Sequence, residues 1–305
     1  MKRDILSAKD LEKDLEDIID LSIGFKKSRY ASYDSLRNKI LAMIFEKPST
    51  RTRTSLEVAM NQLGGHSIYM NPTEMHLGTS ETISDTGHVL SRMVDAIAYR
   101  AYKHTDVVSL ANSTSVPVIN ALDDVEHPLQ IVADFMTIKE KKSHFKGLKM
   151  AFVGDGGDNV ANSLMIGAAL LGVDMYIASP KAYPPHNEFV DIAKKLAKGS
   201  GSTINILNDP VEAVRNADVV YTDVWISMGQ EAMKGTKEKA FAGYQVNAEL
   251  VSNAKKDYIF MHCLPAHRGM EVTDEVADSI NSVIFDEAEN RLHSAKGVLY
   301  TLLAH

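Results

Sequence analysis

Short apolar runs of about five residues recur along this chain, and between them lie longer stretches whose apolar positions return every three to four residues. That alternation predicts a β-α-β series and an α/β fold with parallel sheets. In the first half, "KILAMIF" (39–45), "HSIYMN" (66–71), "DAIAYRA" (95–101) and "VPVIN" (116–120) read as buried strands, and "TSLEVAMNQLGG" (54–65) reads as a helix ended by glycine. The second half repeats the pattern through "LKMAFVG" (148–154), "DMYIAS" (174–179), "TINIL" (203–207), "DVVYTD" (218–223) and "YIFMHC" (258–263). A helical stretch, "PLQIVADFMTIKEKK" (128–142), stands between the two series and is the expected link between two domains.

Composition narrows the class of partner. The 305 residues suffice for two cores, and 33 Lys and Arg against 40 Asp and Glu give a net charge of -7. No broad basic field is available for nucleic acid or an anionic membrane. The N-terminal "MKRDILSAKDLEKDLEDIID" reads as a charged amphipathic helix and not as a signal peptide, no apolar run reaches membrane-spanning length, and Cys263 is the only cysteine. A cytoplasmic protein is expected.

Against that acidic background, "FEKPSTRTRTS" (45–55) packs Lys47, Arg51 and Arg53 among hydroxyls directly after a predicted strand. In an open parallel sheet, ligands sit beyond the carboxyl ends of strands, where helix N-termini present free N–H groups. Ser49, Thr50 and Thr52 can donate, and Arg51 can add a bidentate fork, a set that matches the oxygens of a phosphate. An ordinary helix cap with solvated arginines is the competing reading. Arg100 ends another strand, where a buried charge calls for a partner such as an anion. "EHPLQ" puts His127 and Gln130 three apart across Pro128, on one face of a first helical turn.

Other stretches test rival chemistries. "VGDGGDNVANS" has strand, glycine turn and helix in the order of a dinucleotide site, but Asn159 replaces the third glycine and the next strand ends in Ala178 and Ser179 without a ribose-binding acid. "HCLPAH" (262–267) lacks a fourth metal ligand, and His262 and Cys263, as neighbours on a strand, are expected to face opposite sides, which speaks against a cysteine–histidine hydrolase. Neither a cofactor nor a metal is expected. Trp225, the single tryptophan, is expected to pack.

"FEKPSTRTR" resembles the carbamoyl-phosphate motif of the aspartate and ornithine carbamoyltransferase family, and "HLGTSETISDT" (76–86), "HPLQ", "DVWISMGQE" (223–231), "HCLPAHRG" (262–269) and "AENRLH" (288–293) match in order. The last three are similar to the ornithine branch. The resemblance covers nearly the whole chain and implies two Rossmann-like domains with parallel sheets flanked by helices, joined by long helices. It assigns residues 1–135 to carbamoyl phosphate and 136–288 to ornithine, with 289–305 as a C-terminal helix returning to pack on the first domain.

By the same resemblance, carbamoyl phosphate is held by Ser49, Thr50, Arg51, Thr52, Arg100, His127, Gln130, Cys263, Leu264 and Arg291, with His76 reaching in from a neighbouring subunit. Ornithine is held by Asn159, Asp223, Ser227 and Met228. Arg51, Arg100, His127, Asp223 and Cys263 form the implied catalytic set. Asp158 stands where asparagine is common in the family. The implied reaction carries the carbamoyl group to the δ-amine of L-ornithine, giving L-citrulline and phosphate, in a homotrimer or a multiple of trimers. A transcarbamoylase for another amine such as putrescine, or a non-catalytic sensor of carbamoyl phosphate, are the alternatives.

Overall fold

A computed structural model of the chain describes residues 2–28, 34–71, 75, 81–226 and 231–304. It divides into two compact units, one formed by Met1–Met136 with Glu289–His305 and the other by Thr137–Ala288.

The first unit is built on a four-stranded sheet of β1 (Ile40–Phe45), β2 (His66–Met70), β3 (Ala96–Arg100) and β4 (Val118–Asn120), in the order β2-β1-β3-β4 with every pair parallel. Its helices are α1 (Leu15–Lys27), α2 (Arg51–Gln62), α3 (Ile83–Leu90) and α4 (His104–Ser113), together with the start of α5 (Pro128–Lys142). The second unit carries β5 (Lys149–Val153), β6 (Asp174–Ala178), β7 (Ile204–Leu207), β8 (Val219–Tyr221) and β9 (Ile259–Met261), ordered β7-β6-β5-β8-β9 and again parallel throughout. Around it lie α6 (Asn159–Leu171), α7 (Asn187–Ser200), α8 (Pro210–Val214), α9 (Lys234–Ala240), α10 (Ala248–Val251) and α11 (Asp274–Ala277). The division between units falls within α5 and within α12 (Ile284–Leu303).

All nine expected strands are present, and one expectation about them is corrected. β2 is not a buried strand: it forms a sheet edge, and Ile68 within it is 48% exposed. β1, β3 and β4 in the same sheet are buried along almost their whole length, as strands covered on both faces are. α2 begins at Arg51, three residues before the apolar periodicity suggests, because "RTR" forms its first turn.

Strand order matters for function. Each sheet reverses direction of growth once, between β1 and β3 in the first unit and between β5 and β8 in the second. At such a switch point the connections leave to opposite faces and open a crevice at the strands' carboxyl ends.

α12 packs on α1 within the first unit: Phe25 and Tyr300 meet edge to face with centroids 5.7 Å apart, and the Lys26 ammonium donates to Asn290 Oδ1 at 2.8 Å. Gly297 permits the approach, since a Cβ there would lie 2.2 Å from Ser22 Oγ and 2.9 Å from the Ile18 carbonyl. Gly297→Ala is therefore expected to destabilise the fold by about 1–3 kcal/mol, more than the ~1 kcal/mol that alanine's helix propensity returns. Urea unfolding checks this, and an unchanged midpoint would mean that α1 gives way at no cost.

Candidate active site

In the first unit the switch point is cationic. β1 delivers the chain into Ser49 and Thr50, and α2 starts at Arg51 with Thr50 as its N-cap. Thr50 makes no side-chain cap, and the Thr52 N–H instead donates to Ser49 Oγ at 3.2 Å. Arg100 ends β3 in register with Phe45, the last residue of β1, so the two strand ends adjoin. It is buried, and its Nη1 donates to the Ala121 carbonyl at 3.5 Å.

Arg291, on α12, closes the group. Its guanidinium donates to Gln130 Oε1, to Thr52 Oγ1 at 2.9 Å, and meets His127 Nε2 at 3.5 Å. Thr52, His127, Gln130 and Arg291 are all buried. Burial and the guanidinium charges of Arg291, Arg100 and Arg51 hold the His127 imidazole well below its ordinary pKa, so it is neutral at pH 7. Gln130 donates through Nε2 to Asp134 Oδ1 at 2.7 Å, which aims its amide oxygen at Arg291. Lys47 is also buried, and desolvation followed by repulsion from Arg100 lowers its pKa.

The opening cluster thus divides. Lys47 and Arg51 share the environment of Arg100, whereas Arg53 lies over the Tyr69 ring at 3.5 Å and faces Glu57 at 3.7 Å. An arginine on the outer face of α2 is a packing and surface residue.

In the second unit the switch point is anionic. The turn after β5 holds Asp155, Gly156, Gly157 and Asp158, and Asn159 opens α6. Asp158 caps α6, its Oδ1 accepting from the N–H groups of Val160 at 2.8 Å and Ala161 at 3.3 Å. Gly156 is required by neighbouring backbone, because a Cβ would sit 2.6 Å from Pro185 N. That contact, and not a bound pyrophosphate, accounts for the glycine that makes this turn look like a dinucleotide fingerprint. Lys237, buried on α9, pairs with Asp155 Oδ2 at 2.5 Å, and Asp155 Oδ1 accepts from Gly157 N at 3.0 Å, so the turn is braced from below.

Asp223 follows β8 and is buried, its Oδ1 accepting from Val224 N at 2.7 Å. Trp225 beside it is buried and stacks on Phe241 with centroids 5.6 Å apart. Ser227 and Met228 lie outside the described residues, as does His76 in the first unit.

The expectation that His262 and Cys263 diverge is corrected. β9 ends at Met261, so strand alternation no longer governs them, and ligand-type atoms of Asp223, His262 and Cys263 all lie within 4.8 Å of one another. His262 accepts from Leu264 N through Nδ1 at 2.9 Å, which leaves Nε2 to donate to Glu271 Oε1 at 3.3 Å. Leu264 itself has φ of 59°, a left-handed conformation rare for a residue with a branched side chain. The Cys263 thiol is pushed well up by burial and by the negative charges of Asp223 and Glu287. Nucleophilic attack and metal binding both use the thiolate, so this environment disfavours each.

Sequence reading missed Asp134, Lys237, Glu271 and Glu287, all buried, although the four-residue step from Gln130 to Asp134 was a usable signal. Glu287 accepts from His262 N at 3.0 Å and from the Tyr221 hydroxyl at 3.2 Å, fixing the backbone that leads into Cys263.

Two Rossmann-like parallel sheets, one with guanidinium groups at its switch point and one with carboxylates and an asparagine, define a two-unit α/β protein with switch points of opposite charge. The chain belongs to the aspartate/ornithine carbamoyltransferase family: the carbamoyl-P binding domain model matches residues 3–140 and the Asp/Orn binding domain model matches residues 146–302. Within the family it is similar to the catabolic ornithine carbamoyltransferase of Thermoplasma acidophilum, 74% identical over 100% of this chain and 99% of the relative, and to the anabolic enzyme of Pyrococcus furiosus, 57% identical over 87% of this chain and 84% of the relative. The structure of an ornithine carbamoyltransferase from Pyrococcus furiosus superposes with a TM-score of 0.95 at 52% identity, covering 99% of this chain and 97% of that one.

Proposed function

We propose that this chain is an enzyme that transfers the carbamoyl group of carbamoyl phosphate to the δ-amine of L-ornithine, giving L-citrulline and phosphate. The observation that carries this reading is identity of 74% across the whole chain to a relative named for that activity.

The residues supply the chemistry as follows. The α2 N-terminus with Ser49, Thr50, Arg51 and Thr52, together with Arg100 and Arg291, takes the phosphate and stabilises it as it leaves. Neutral His127 donates to the carbamoyl oxygen as negative charge grows there, and Gln130, its oxygen aimed by Asp134, accepts from the carbamoyl nitrogen. Asn159 and the Met228 backbone take the α-carboxylate of ornithine, and Asp223 with Ser227 takes its α-ammonium. Cys263 stands beside the δ-amine as a neutral thiol, and the Leu264 carbonyl accepts from the carbamoyl nitrogen.

The δ-amine must lose a proton before it attacks. A lysine-like amine has a pKa of ~10.4, and bringing it to about 7 requires roughly 4 to 5 kcal/mol from desolvation and nearby guanidinium charge. His127 and Cys263, driven down and up respectively, stay neutral and contribute no step near pH 7. Turnover is therefore expected to rise between about pH 6 and pH 8 as the bound amine deprotonates. A flat kcat profile with chemistry rate-limiting would contradict this.

The direct test is to supply carbamoyl phosphate with either ornithine or putrescine and assay the ureido product. Product from ornithine alone supports the reading; product from putrescine alone, or from neither, replaces it with one of the two alternatives.

The finer reading, a homotrimer or a multiple of trimers with a neighbouring subunit supplying His76, is supported by the family resemblance and by exposed Ile68, Val89, Met93 and Tyr102 on the first unit. Sedimentation of the purified protein tests it. A cytoplasmic location accords with the single cysteine; among the described residues no helix is long and apolar enough to cross a membrane.

A further inference from the structure

Two stretches of the second unit carry the amino-acid site, and both are tied to α9. One is the turn after β5, which presents Asn159; the other is the chain that runs from Asp223 through Trp225 towards Ser227 and Met228. Lys237 and Phe241 lie one helical turn apart at the end of α9, and both are buried. We infer that Lys237 and Phe241 are positioning residues for ornithine: Lys237 holds the turn before Asn159, Phe241 holds Trp225, and α9 fixes the two stretches against each other. This rests on the proposed function.

The first tie is ionic. Lys237 Nζ pairs with Asp155 Oδ2 at 2.5 Å and lies 5.4 Å from the centre of the Tyr183 ring. Asp155 Oδ1 accepts from Gly157 N at 3.0 Å, the Asp155 carbonyl accepts from Asp158 N at 3.2 Å, and the Tyr183 carbonyl accepts from Gly156 N at 3.1 Å. Asp155 and Tyr183 therefore pass the hold of Lys237 to the backbone that leads into Asn159. The second tie is aromatic. The Phe241 ring stacks on Trp225 with centroids 5.6 Å apart and meets Tyr183 at 5.1 Å and Tyr244 at 6.1 Å. Trp225 depends on that stack, because its Nε1 is buried without a hydrogen-bond partner among the described residues. Tyr244 anchors the end of the helix from outside the site: its hydroxyl donates to the Asn208 carbonyl at 2.6 Å, and Asn208 Nδ2 donates to the Ser179 carbonyl at 2.8 Å. The α-carboxylate and α-ammonium of an amino acid share one carbon, so a shift of either stretch spoils both contacts. A misplacement of ~1 Å can cost about a hundredfold.

The test uses the full chain and two variants that leave every proposed ligand group in place. Asp155→Asn combined with Lys237→Met removes the ionic tie without leaving an unpaired buried charge, and the asparagine still accepts from Gly157 N. Phe241→Leu removes the ring stack and keeps an apolar side chain at the position. Calorimetric titration with L-norvaline, which has ornithine's carbon chain without the δ-amine, measures amino-acid binding apart from chemistry in the presence of carbamoyl phosphate. Steady-state kinetics gives both KM values. Each variant should stay folded by circular dichroism, raise the norvaline Kd and the ornithine KM by at least about tenfold, and leave the KM for carbamoyl phosphate within about twofold. At saturating ornithine kcat should fall less than KM rises. Joining all three substitutions should cost less than the product of the two separate factors, because both ties act through one helix. Loss of the fold in both variants, an unchanged ornithine KM, an equal rise in both KM values, or fully multiplicative losses would overturn the inference while leaving the proposed function standing. Failure of the unaltered protein to bind norvaline and ornithine would instead overturn the proposed function.

Discussion

Arg51→Ala is expected to remain folded and to lose between about 10² and 10³ in kcat/KM for carbamoyl phosphate, the usual cost of removing one strong donor to a charge that develops in the transition state. Arg51 occupies the first turn of α2 and is only partly buried, so its loss opens no cavity in the core. The remaining cations, Arg100 and Arg291, are anchored by the Ala121 carbonyl and by Thr52 and Gln130, and stay in place. Ground-state binding should therefore weaken less than turnover. Steady-state kinetics with circular dichroism as a folding control decides the matter, and near-normal kcat/KM would remove Arg51 from the site.

Asp223→Asn should produce the complementary defect. An ammonium ion held by a buried carboxylate loses about 3–5 kcal/mol when that partner is neutralised, so ornithine use should fall by at least about a hundredfold. The KM for carbamoyl phosphate should change little, because Asp223 belongs to the second unit, beside His262 and Cys263, whereas Arg51, Arg100 and Arg291 belong to the first. Equal damage to both substrates would show that Asp223 has a structural duty instead. Asn at this position still accepts from Val224 N, so the backbone after β8 keeps its hydrogen bond.

The strands were legible because each buried run is bounded by polar residues and turn formers, and parallel strands covered on both faces have no other apolar signature. β2 was misjudged because an edge strand can carry Ile68 and Tyr69 as readily as a central one, and only sheet order tells them apart. Legibility of the candidate site followed the same logic. Arg51, Arg100, Asn159 and Asp223 stand at or just beyond strand ends, where position along the chain maps onto position in the sheet. The supporting groups were mostly not legible. Asp134 was marked only by its four-residue step from Gln130 within an apolar stretch, and Lys237 sits in a helix with an exposed-looking charge pattern, where nothing local distinguishes a buried lysine paired across 82 positions from a solvated one. His262 and Cys263 escaped because a rule valid inside a strand was carried two residues past its end.

The discontinuity of the first unit also has a consequence for biosynthesis. Thr137–Ala288 is a continuous stretch, but the unit that precedes it includes residues 289–305. On the ribosome the middle of the chain can therefore reach its final packing first, while α1 waits with the seat of Gly297 uncovered. Arg51 is translated early, yet Thr52, His127 and Gln130 receive their guanidinium partner only when Arg291 emerges, so the anion cradle is among the last parts of the molecule to become whole.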